Sequence, residues 1–376
     1  MEDYNLLLSI IIPTKNRHNQ LLDTLKAHNF WPENLKKQIE IVISDNSDSS
    51  IELNLLEEIK NIFPNVHYQN SRSFLTISDN FTLGLNISKG KWIVFIGDDD
   101  FFMPSIIQAI YTNEASNVDC MIYNPNKYYW KNCIFTNKNV AGGPGTLVLS
   151  NSWEQKKIDP KEELMRSLKN GGLTIEKMPR AYHGIIKRSV MKRCCLATSD
   201  EMLLGSPDVS IATILSCSNI SVLSIPGSPT IYGASDGSGG GMTTSKTHVQ
   251  TLDKASFLSK SFKIKWNETI PKYWSEYTVF PASILYVIEE YKLKQPAKLN
   301  HAAIYISCLF YEIQFFKDIL LSFGSLNSKE VFNFLKMFPY TFIRKAGGLI
   351  VRRINKKRNT DVFYSIEPNE IIKYDF

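Results

Sequence analysis

The sequence lacks any long apolar run. The run at residues 6–13 is eight residues long, and no stretch reaches the roughly 18 apolar residues that a membrane-spanning helix needs. The first residues are polar and acidic, without the basic segment that opens a secretory signal peptide. We therefore expect a cytoplasmic protein that has neither a signal peptide nor a transmembrane helix.

Cysteine is sparse and scattered. The six cysteines form no CxxC pair, and most stand in apolar surroundings. Structural zinc sites usually draw on closely spaced cysteines, and disulfide frameworks are typical of secreted chains. The sequence therefore predicts reduced, buried thiols and no structural zinc site. Internal repeats and long low-complexity segments are missing as well.

Positive charge is concentrated in one segment. The net charge is +6, but residues 331–360 carry +8 and contain no acidic residue, so the rest of the chain carries −2. This local basic character needs a local explanation. The basic residues of the segment are Lys336, Arg344, Lys345, Arg352, Arg353, Lys356, Lys357 and Arg358.

Strand-like and helix-like patterns alternate over the first 125 residues. Apolar residues at helical spacing predict three helices and a fourth that Pro104 opens. This order predicts an α/β fold with a mostly parallel sheet and helices on both faces. The predicted strands are 7–12, 39–44, 66–70, 92–96 and 118–123, and the predicted helices between them are 19–28, 51–63 and 77–88.

The rest of the chain is less regular at first and then helical. Helices are predicted at 160–169 and 208–216, a strand at 220–225, and a flexible glycine-rich loop at 235–241. We therefore expect a first domain at 1–235 and a mainly helical C-terminal region at 236–376 that includes a basic amphipathic segment. The helices predicted in that region are 277–293, 297–321 and 328–337, and the helical pattern continues through the basic stretch to about 358.

Three adjacent aspartates follow the fourth predicted strand. Asp98, Asp99 and Asp100 come after Gly97, and open α/β sheets bind ligands beyond the carboxyl ends of their strands. Adjacent carboxylates repel one another, but Mg²⁺ or Mn²⁺ takes oxygen ligands and offsets that repulsion. The alternative is an acidic turn that caps the helix opened by Pro104. The position at the ligand-binding end of the sheet favours a site.

Three motifs together resemble glycosyltransferase family 2. The first is Leu8-Ser-Ile-Ile-Ile-Pro-Thr-Lys-Asn-Arg17, and the second is Ile41-Val-Ile-Ser-Asp-Asn46. The third runs from Asp79-Asn-Phe through Gly90-Lys-Trp-Ile-Val-Phe-Ile-Gly to the three aspartates. Their order and spacing make the resemblance specific over residues 1–125, and it continues loosely to residue 235. It implies the GT-A fold, a nucleotide-sugar donor and a catalytic domain at 1–235.

The resemblance also implies roles for single residues. Asp45 stands where the family binds the nucleotide base, usually uracil. Gly97 replaces the first aspartate of the family's Asp-x-Asp-Asp pattern. The resemblance then leaves Asp99 as the metal ligand, with Asp100 beside it. Asp98 is expected to lie toward the ribose or the sugar. The donor-binding residues implied by the resemblance are Pro13, Thr14, Arg17, Asp45, Asp79, Asn80, Asp98 and Asp100.

Sugar transfer with inversion needs a carboxylate that takes the proton of the acceptor hydroxyl. The resemblance implies such an acid at the start of a helix late in the catalytic domain, where Asp208 follows Gly-Ser-Pro. The alternative is an acid that only caps this helix. The other candidates for the base are Asp200, Glu201 and Glu176.

Two further residues have open interpretations. His183, beside Tyr182, either contacts the donor or acceptor or has a structural role. Asp236 in the glycine-rich loop belongs either to a lid over the donor or to a linker.

The basic segment at 331–360 mixes aromatic, aliphatic and cationic residues. This composition suits a helix that lies on an anionic membrane, at the inner face of the plasma membrane, where a polyprenyl-linked acceptor would be presented. The alternative is a helix packed on the catalytic domain with a solvated basic face. Nucleic-acid binding is not expected, because no recognised nucleic-acid module accompanies the charge.

These features predict a glycosyltransferase that moves a hexosyl or N-acetylhexosaminyl group from a UDP-sugar to a glycan or lipid-linked oligosaccharide, with Mg²⁺ or Mn²⁺. The resemblance alone implies inversion and a place in O-antigen or capsule biosynthesis. The alternatives are a non-catalytic GT-A scaffold and a nucleotidyltransferase. The latter usually has a glycine-rich segment after the first strand, where this chain has Pro-Thr-Lys-Asn-Arg. The apolar helices at 277–321 would support a homodimer.

Overall fold

The computed structural model describes residues 5–71, 73–136, 142–196, 204–245, 247–354, 362–363 and 365–375. The strands are β1 (Leu8–Thr14), β2 (Ile39–Asp45), β3 (Val66–Asn70), β4 (Trp92–Phe95), β5 (Phe101–Phe102), β6 (Cys120–Ile122), β7 (Asn126–Tyr129), β8 (Thr146–Val148), β9 (Lys156–Ile158), β10 (Gly184–Lys187), β11 (Val222–Ser224), β12 (Thr230–Ala234), β13 (Gln250–Thr251), β14 (Tyr273–Trp274) and β15 (Val362–Phe363).

The helices are α1 (His18–Lys26), α2 (Glu33–Lys36), α3 (Leu53–Ile62), α4 (Ile77–Ile87), α5 (Ser105–Glu114), α6 (Pro160–Lys169), α7 (Arg188–Met191), α8 (Pro207–Cys217), α9 (Gly239–Ser245), α10 (Lys260–Ile264), α11 (Glu276–Glu290), α12 (His301–Tyr311), α13 (Phe316–Phe323) and α14 (Ser328–Ile354). Shorter helical turns lie at Ala27–Phe30, Lys192–Leu196, Ile313–Phe315 and Pro368–Tyr374. The predicted residues outside the described part are Asp200, Glu201, Lys356, Lys357 and Arg358.

The largest sheet in the described part of the chain has eight strands, in the order β3-β2-β1-β4-β10-β6-β11-β9. Six strands run in one direction, while β10 is antiparallel to both of its neighbours and β9 is antiparallel to β11. The predicted α/β fold with a mostly parallel sheet is confirmed. All five strands predicted in the first 125 residues are present, with ends shifted by two residues at most.

Helices cover both faces of this sheet. Along β1, Leu8, Ile10 and Ile12 belong to a core shared with α1, α3 and α5, whereas Ile11 belongs to a core on the other face shared with α4, α6 and α8. Successive side chains of a strand point to opposite faces, so a strand buried on both faces needs an unbroken apolar run. β1 meets that requirement except at Ser9, whose hydroxyl donates a hydrogen bond to the Glu40 carboxylate (2.5 Å).

A second, smaller sheet supports the loop that carries the three aspartates. Among the described residues its strand order is β15-β8-β7-β12-β5, and β5 follows the aspartates directly. Ile231 of β12 lies opposite Phe101 of β5, and β7 pairs with β12 on its other side. No sequence pattern predicted this sheet, because its strands are short and pair with segments far away along the chain.

The helical C-terminal region is confirmed, but the single helix predicted at 297–321 is wrong. The chain leaves the helix after α12, and a short turn precedes α13. Glu312, at the break, is buried and accepts hydrogen bonds from the hydroxyl groups of Tyr273 (2.7 Å) and Ser275 (2.9 Å). A buried carboxylate needs such partners, and the backbone departs from helical geometry where Glu312 reaches them.

One other element differs from the prediction. The loop predicted at 235–241 is helical in its second half, because α9 begins at Gly239. The helical pattern predicted from 328 through the basic stretch to about 358 forms one helix, α14, which continues through Pro339 to Ile354. Among the described residues, no helix combines the length and the apolar character that crossing a membrane requires.

The C-terminal residues return to the first half of the chain. Within 365–375, Ile371 is fully buried, and the Tyr128 hydroxyl of β7 donates a hydrogen bond to the carbonyl of Ile366 (2.8 Å). Most residues of α11 and α12 are buried in this chain's own core, where α11 packs on α8. The domain boundary after residue 235 and the homodimer both stay predictions.

Candidate functional site

The carboxyl ends of β1 and β4 meet at one rim of the large sheet. These strands are neighbours and parallel, so Thr14 at the end of β1 lies beside the loop after β4. The Thr14 hydroxyl donates a hydrogen bond to the Asp98 carboxylate (2.6 Å). The Arg17 guanidinium lies 3.1 Å from the Asp98 carboxylate and 3.4 Å from that of Asp99. Four of the predicted residues are therefore in one cluster.

Asp99 is also held by the residue that follows β12. Its carboxylate accepts hydrogen bonds from the backbone N–H (2.9 Å) and the hydroxyl (2.6 Å) of Ser235, and Arg17 donates to the same hydroxyl. The Asp99 carbonyl accepts a hydrogen bond from the indole of Trp130 (2.8 Å). Ser235 and Trp130 are not among the predicted site residues. The signal available for Ser235 is its place at the start of the glycine-rich loop.

Asp100 is bound by the surrounding protein. Its carboxylate accepts hydrogen bonds from the backbone N–H groups of Gly97 (2.5 Å) and Gly233 (2.6 Å) and from the Tyr182 hydroxyl (3.2 Å). Nε2 of His183 lies 3.1 Å from it. These contacts fix the aspartate loop to β10 and β12. The predicted role of Asp100 as a metal ligand stays a prediction.

The aspartate cluster contains more negative than positive charge. All three side chains are almost fully buried. Burial raises the pKa of Asp98 to about 7 although Arg17 opposes the shift, and burial together with the charge of Asp100 raises the pKa of Asp99. A raised carboxylate pKa means that the ionised form lacks compensation. One guanidinium therefore does not neutralise the cluster, and a second cation would.

The donor set fits a divalent cation in its chemistry. Asp98 and Asp99 offer carboxylate oxygens, which Mg²⁺ and Mn²⁺ prefer, and both carboxylates already face the cationic group of Arg17. Among the described residues, no three His, Cys, Asp or Glu side chains are arranged to hold a metal ion. Further ligands would come from phosphate oxygens, as is usual for Mg²⁺.

Asp45 does not contact the three aspartates. It ends β2, is fully buried, and accepts hydrogen bonds from the Tyr68 hydroxyl (2.7 Å) and the Ser47 backbone N–H (2.8 Å). Nε2 of His18 lies 2.8 Å away. Burial alone would raise the pKa of Asp45, but these hydrogen bonds hold it below its usual value. Its predicted contact with the nucleotide base stays a prediction.

The remaining donor residues have partners within the protein. Asp79 and Thr76 form a capping box at the start of α4, with a Thr76 hydroxyl to Asp79 carboxylate distance of 2.6 Å. The Asn80 side-chain carbonyl accepts a hydrogen bond from the Ser44 hydroxyl (2.7 Å). Pro13 lies opposite Ser44 in the pairing of β1 with β2. Their contacts with a donor stay predictions.

Asp208 lies in the first turn of α8, near the residues that bind Asp100. The Ser206 hydroxyl donates a hydrogen bond to it (3.1 Å). Burial raises the pKa of Asp208, and the charge of His183 partly opposes the shift. Burial and nearby carboxylates, including Asp208, raise the pKa of Tyr182 well above its usual value. Since Tyr182 and His183 also contact Asp100, Asp208 belongs to the surroundings of the cluster.

The other candidates lie in different settings. Glu176 and Asp236 are exposed. His183 is buried with a left-handed backbone φ of 50°, and its Nδ1 lies 2.7 Å from the Thr230 hydroxyl. These contacts connect His183 with β12 and with the Asp100 carboxylate, and the choice between a structural role and contact with the donor or acceptor stays open.

The first part of the chain matches a known family. Residues 9–166 match the family model described as glycosyl transferase family 2. The match spans less than half of the chain. A curated relative in Haemophilus influenzae, described as an uncharacterized glycosyltransferase, is 31% identical over 134 residues, which are 35% of this chain and 42% of the relative. The chain thus spans less than half of the length of that relative.

Solved structures of S. aureus TarS are similar to the chain at low identity. The structure of TarS 1–349 in complex with UDP-GlcNAc has a TM-score of 0.46 and 14% identity, over 89% of this chain and 91% of TarS 1–349. Another structure of TarS 1–349 has a TM-score of 0.41 and 14% identity, over 61% of this chain and 60% of that one. Similarity of this degree does not identify a donor or an acceptor.

Proposed function

We propose that the protein is an inverting glycosyltransferase that transfers a sugar from a UDP-sugar to a glycan or lipid-linked oligosaccharide in surface polysaccharide biosynthesis. The observation that carries the proposal is the buried cluster of Asp98, Asp99 and Arg17 at the ligand-binding rim of the sheet. The family 2 match over residues 9–166 supports the same reaction.

Arg17 and the aspartates bind the diphosphate of the donor in this proposal. The guanidinium of Arg17 has the planar geometry that pairs with phosphate oxygens. Asp99 would hold Mg²⁺ or Mn²⁺ together with Asp98, which faces the same guanidinium, in the place that the sequence predicted for Asp100. The metal would neutralise charge on the departing UDP. Thr14 orients Asp98 through its hydroxyl, and Asp45 lies on the side of the base.

Asp208 is the proposed general base. A carboxylate with a raised pKa accepts a proton more readily than an ordinary one, and burial raises the pKa of Asp208. Its charge acts on Tyr182, which donates a hydrogen bond to Asp100 in the aspartate cluster. An acid at this place takes the proton of the acceptor hydroxyl, while Arg17 stays with the donor phosphates.

Release of UDP from a panel of UDP-sugars in the presence of Mn²⁺ tests the proposal. We expect the wild type to hydrolyse one of these donors slowly, with water in place of the acceptor. Asp208→Asn should lower that rate by about 10² or more, because no carboxylate then takes the proton. The control is Asp159→Asn, since Asp159 caps the exposed start of α6. UDP binding without turnover of any donor would favour the scaffold instead.

A further inference from the structure

Helix α14 has apolar residues on two opposite faces. One face packs on the chain's own core, where the Phe334 ring lies 5.0 Å from that of Phe323 and contacts Tyr305 of α12. On the other face Phe332 and Leu335 are 69% and 62% exposed. A surface helix normally has polar residues on its outer face. The outer face of α14 therefore carries apolar side chains of the kind usually found in a core, and the other described residues do not cover them.

Helix α13, whose Phe323 packs on Phe334 of α14, also exposes apolar side chains. Its Ile319 is buried, while Phe316, Leu320 and Leu321 on the outer side are exposed. Nine of the sixteen large apolar side chains that are exposed among the described residues lie between Tyr311 and Ile343, so the exposure is concentrated rather than scattered. The outer surface of α13 and α14 comprises Phe316, Leu320, Leu321, Phe332, Leu335, Tyr340 and Ile343.

The exposed charges described on the two helices are positive, and Asp318 of α13 is half-buried. The lysines Lys317, Lys329 and Lys336 on the two helices are exposed, whereas Glu330 of α14 lies 3.1 Å from His301 of α12. The segment 331–360 carries +8 without an acidic residue. A partner for this surface must therefore be both apolar and negatively charged.

A lipid bilayer with anionic headgroups meets both requirements. Apolar side chains enter the boundary between headgroups and acyl chains, and lysines reach the headgroup phosphates. A second copy of the chain fits less well, because a two-fold interface places the same surface of both copies together. Lys317, Lys329 and Lys336 of each copy would then face like charge.

We propose that the outer surface of α13 and α14 docks on an anionic lipid bilayer. Phe316, Leu320, Phe332 and Leu335 contact the acyl boundary, and Lys336 contacts the headgroups. The docking is peripheral, in line with the absence of a spanning helix among the described residues. The docking rests on and deepens the proposed function, because a lipid-linked acceptor would be presented at the membrane surface. The docking itself does not require turnover of a donor.

Sedimentation of the full chain with lipid vesicles tests the docking. We expect binding to vesicles of phosphatidylcholine with phosphatidylglycerol, and much weaker binding to phosphatidylcholine alone. The double variant Phe332→Ser/Leu335→Ser should lose at least about tenfold in affinity, because two large apolar side chains no longer enter the acyl boundary. The matched control is Phe30→Ser/Leu53→Ser, which changes the same residue types at positions 72% and 78% exposed.

A charge variant and a size measurement complete the design. Lys317→Glu/Lys336→Glu should weaken binding to the anionic vesicles, and added salt should do the same to the wild type. Absence of wild-type binding to both vesicle types overturns the proposal. Equal binding by the wild type and Phe332→Ser/Leu335→Ser also overturns it. A dimer of the wild type in light scattering that Phe332→Ser/Leu335→Ser dissociates also overturns the proposal, because a second copy of the chain is then the partner.

The outcome of the vesicle-binding experiment is independent of the proposed transfer reaction. Vesicle binding is measured without a donor, so a failure to turn over UDP-sugars leaves the docking result intact. Conversely, UDP binding by the vesicle-binding variants should equal that of the wild type, because the altered residues lie outside the aspartate cluster.

Discussion

Single side chains beneath the aspartate loop hold it in place. His28 is fully buried, and its ring stacks on Phe102 with ring centroids 3.9 Å apart. Its Nδ1–H donates to the Thr24 carbonyl (2.9 Å), and its Nε2 accepts from the Phe102 N–H (3.3 Å). An imidazole that donates at one nitrogen and accepts at the other is neutral. The Thr24 hydroxyl donates in turn to the Asp98 carbonyl (2.8 Å), so this support reaches the site.

His28 predicts a pH dependence of stability. Burial lowers its pKa from 6.5 to about 4. Between these values the unfolded chain binds a proton that the folded chain does not, so the free energy of unfolding falls as pH decreases from 6.5 to 4. The loss is on the order of 3 kcal/mol. Urea unfolding across this pH range should show a shallower slope for His28→Gln than for the wild type, and equal slopes would contradict the assignment.

At the residue scale the sequence indicated part of the site. Asp98 and Asp99 are recognisable because an acidic run after a buried strand has no place in a core. Ser235 is not, because its contact with Asp99 depends on a pairing of β12 with β5 across more than a hundred residues. Asp79 stands three residues after Thr76, a spacing typical of a capping box, and the structure shows that pairing.

At the scale of elements, β12 keeps the aspartate loop in its position. Gly233 of this strand donates its N–H to Asp100 (2.6 Å), and a Cβ at this position would overlap the Asp99 carbonyl. The backbones of β12 and the aspartate loop are therefore closer than any residue with a side chain allows. A glycine inside a strand often marks such a close approach.

Gly233→Ala should displace the aspartate loop. The added methyl group has no space, so we expect a loss of stability of about 1–3 kcal/mol and a clear weakening of UDP binding. Thermal melting and calorimetry measure the two effects. Gly239→Ala is the control, because a Cβ there meets no atom within 4 Å. Unchanged UDP binding by Gly233→Ala would show that the loop position does not matter for the donor.

Elements with strong periodicity were predictable, and those fixed by distant partners were not. Apolar runs predicted β1, β2, β4 and β6 because these strands are buried on both faces. The break after α12 depends on the buried hydrogen bonds of Glu312 with Tyr273 and Ser275, which no local pattern reveals. The short strands of the second sheet exist only through pairing with one another.

At the scale of the whole molecule, the chain closes on itself. Residues 365–375 pack beside β7 and the Ala27–Phe30 turn, and the Asp375 carboxylate accepts a hydrogen bond from the Ser105 N–H at the start of α5 (2.8 Å). The sequence placed this segment in a separate C-terminal region, because helical periodicity does not show where a chain end returns. The tail is part of the packing behind the aspartate loop.

Ile371→Ala tests the contribution of the tail. Ile371 is fully buried, so its truncation leaves a cavity and should lower the free energy of unfolding by about 2–5 kcal/mol. Ile264→Ala is the control at a position that is 82% exposed, where we expect a change within about 0.5 kcal/mol. Urea unfolding of both variants measures the difference. Equal losses would mean that the tail adds no stability.

Calorimetric titration of UDP, with Mn²⁺ and with a chelator in its place, tests the central claim most directly. We predict that the wild type binds UDP with Mn²⁺ and binds it more weakly without the metal. Asp99→Ala should lose the dependence on Mn²⁺, whereas Asp159→Ala should keep it. No UDP binding by the folded wild type under either condition would contradict a UDP-sugar site at the aspartate cluster.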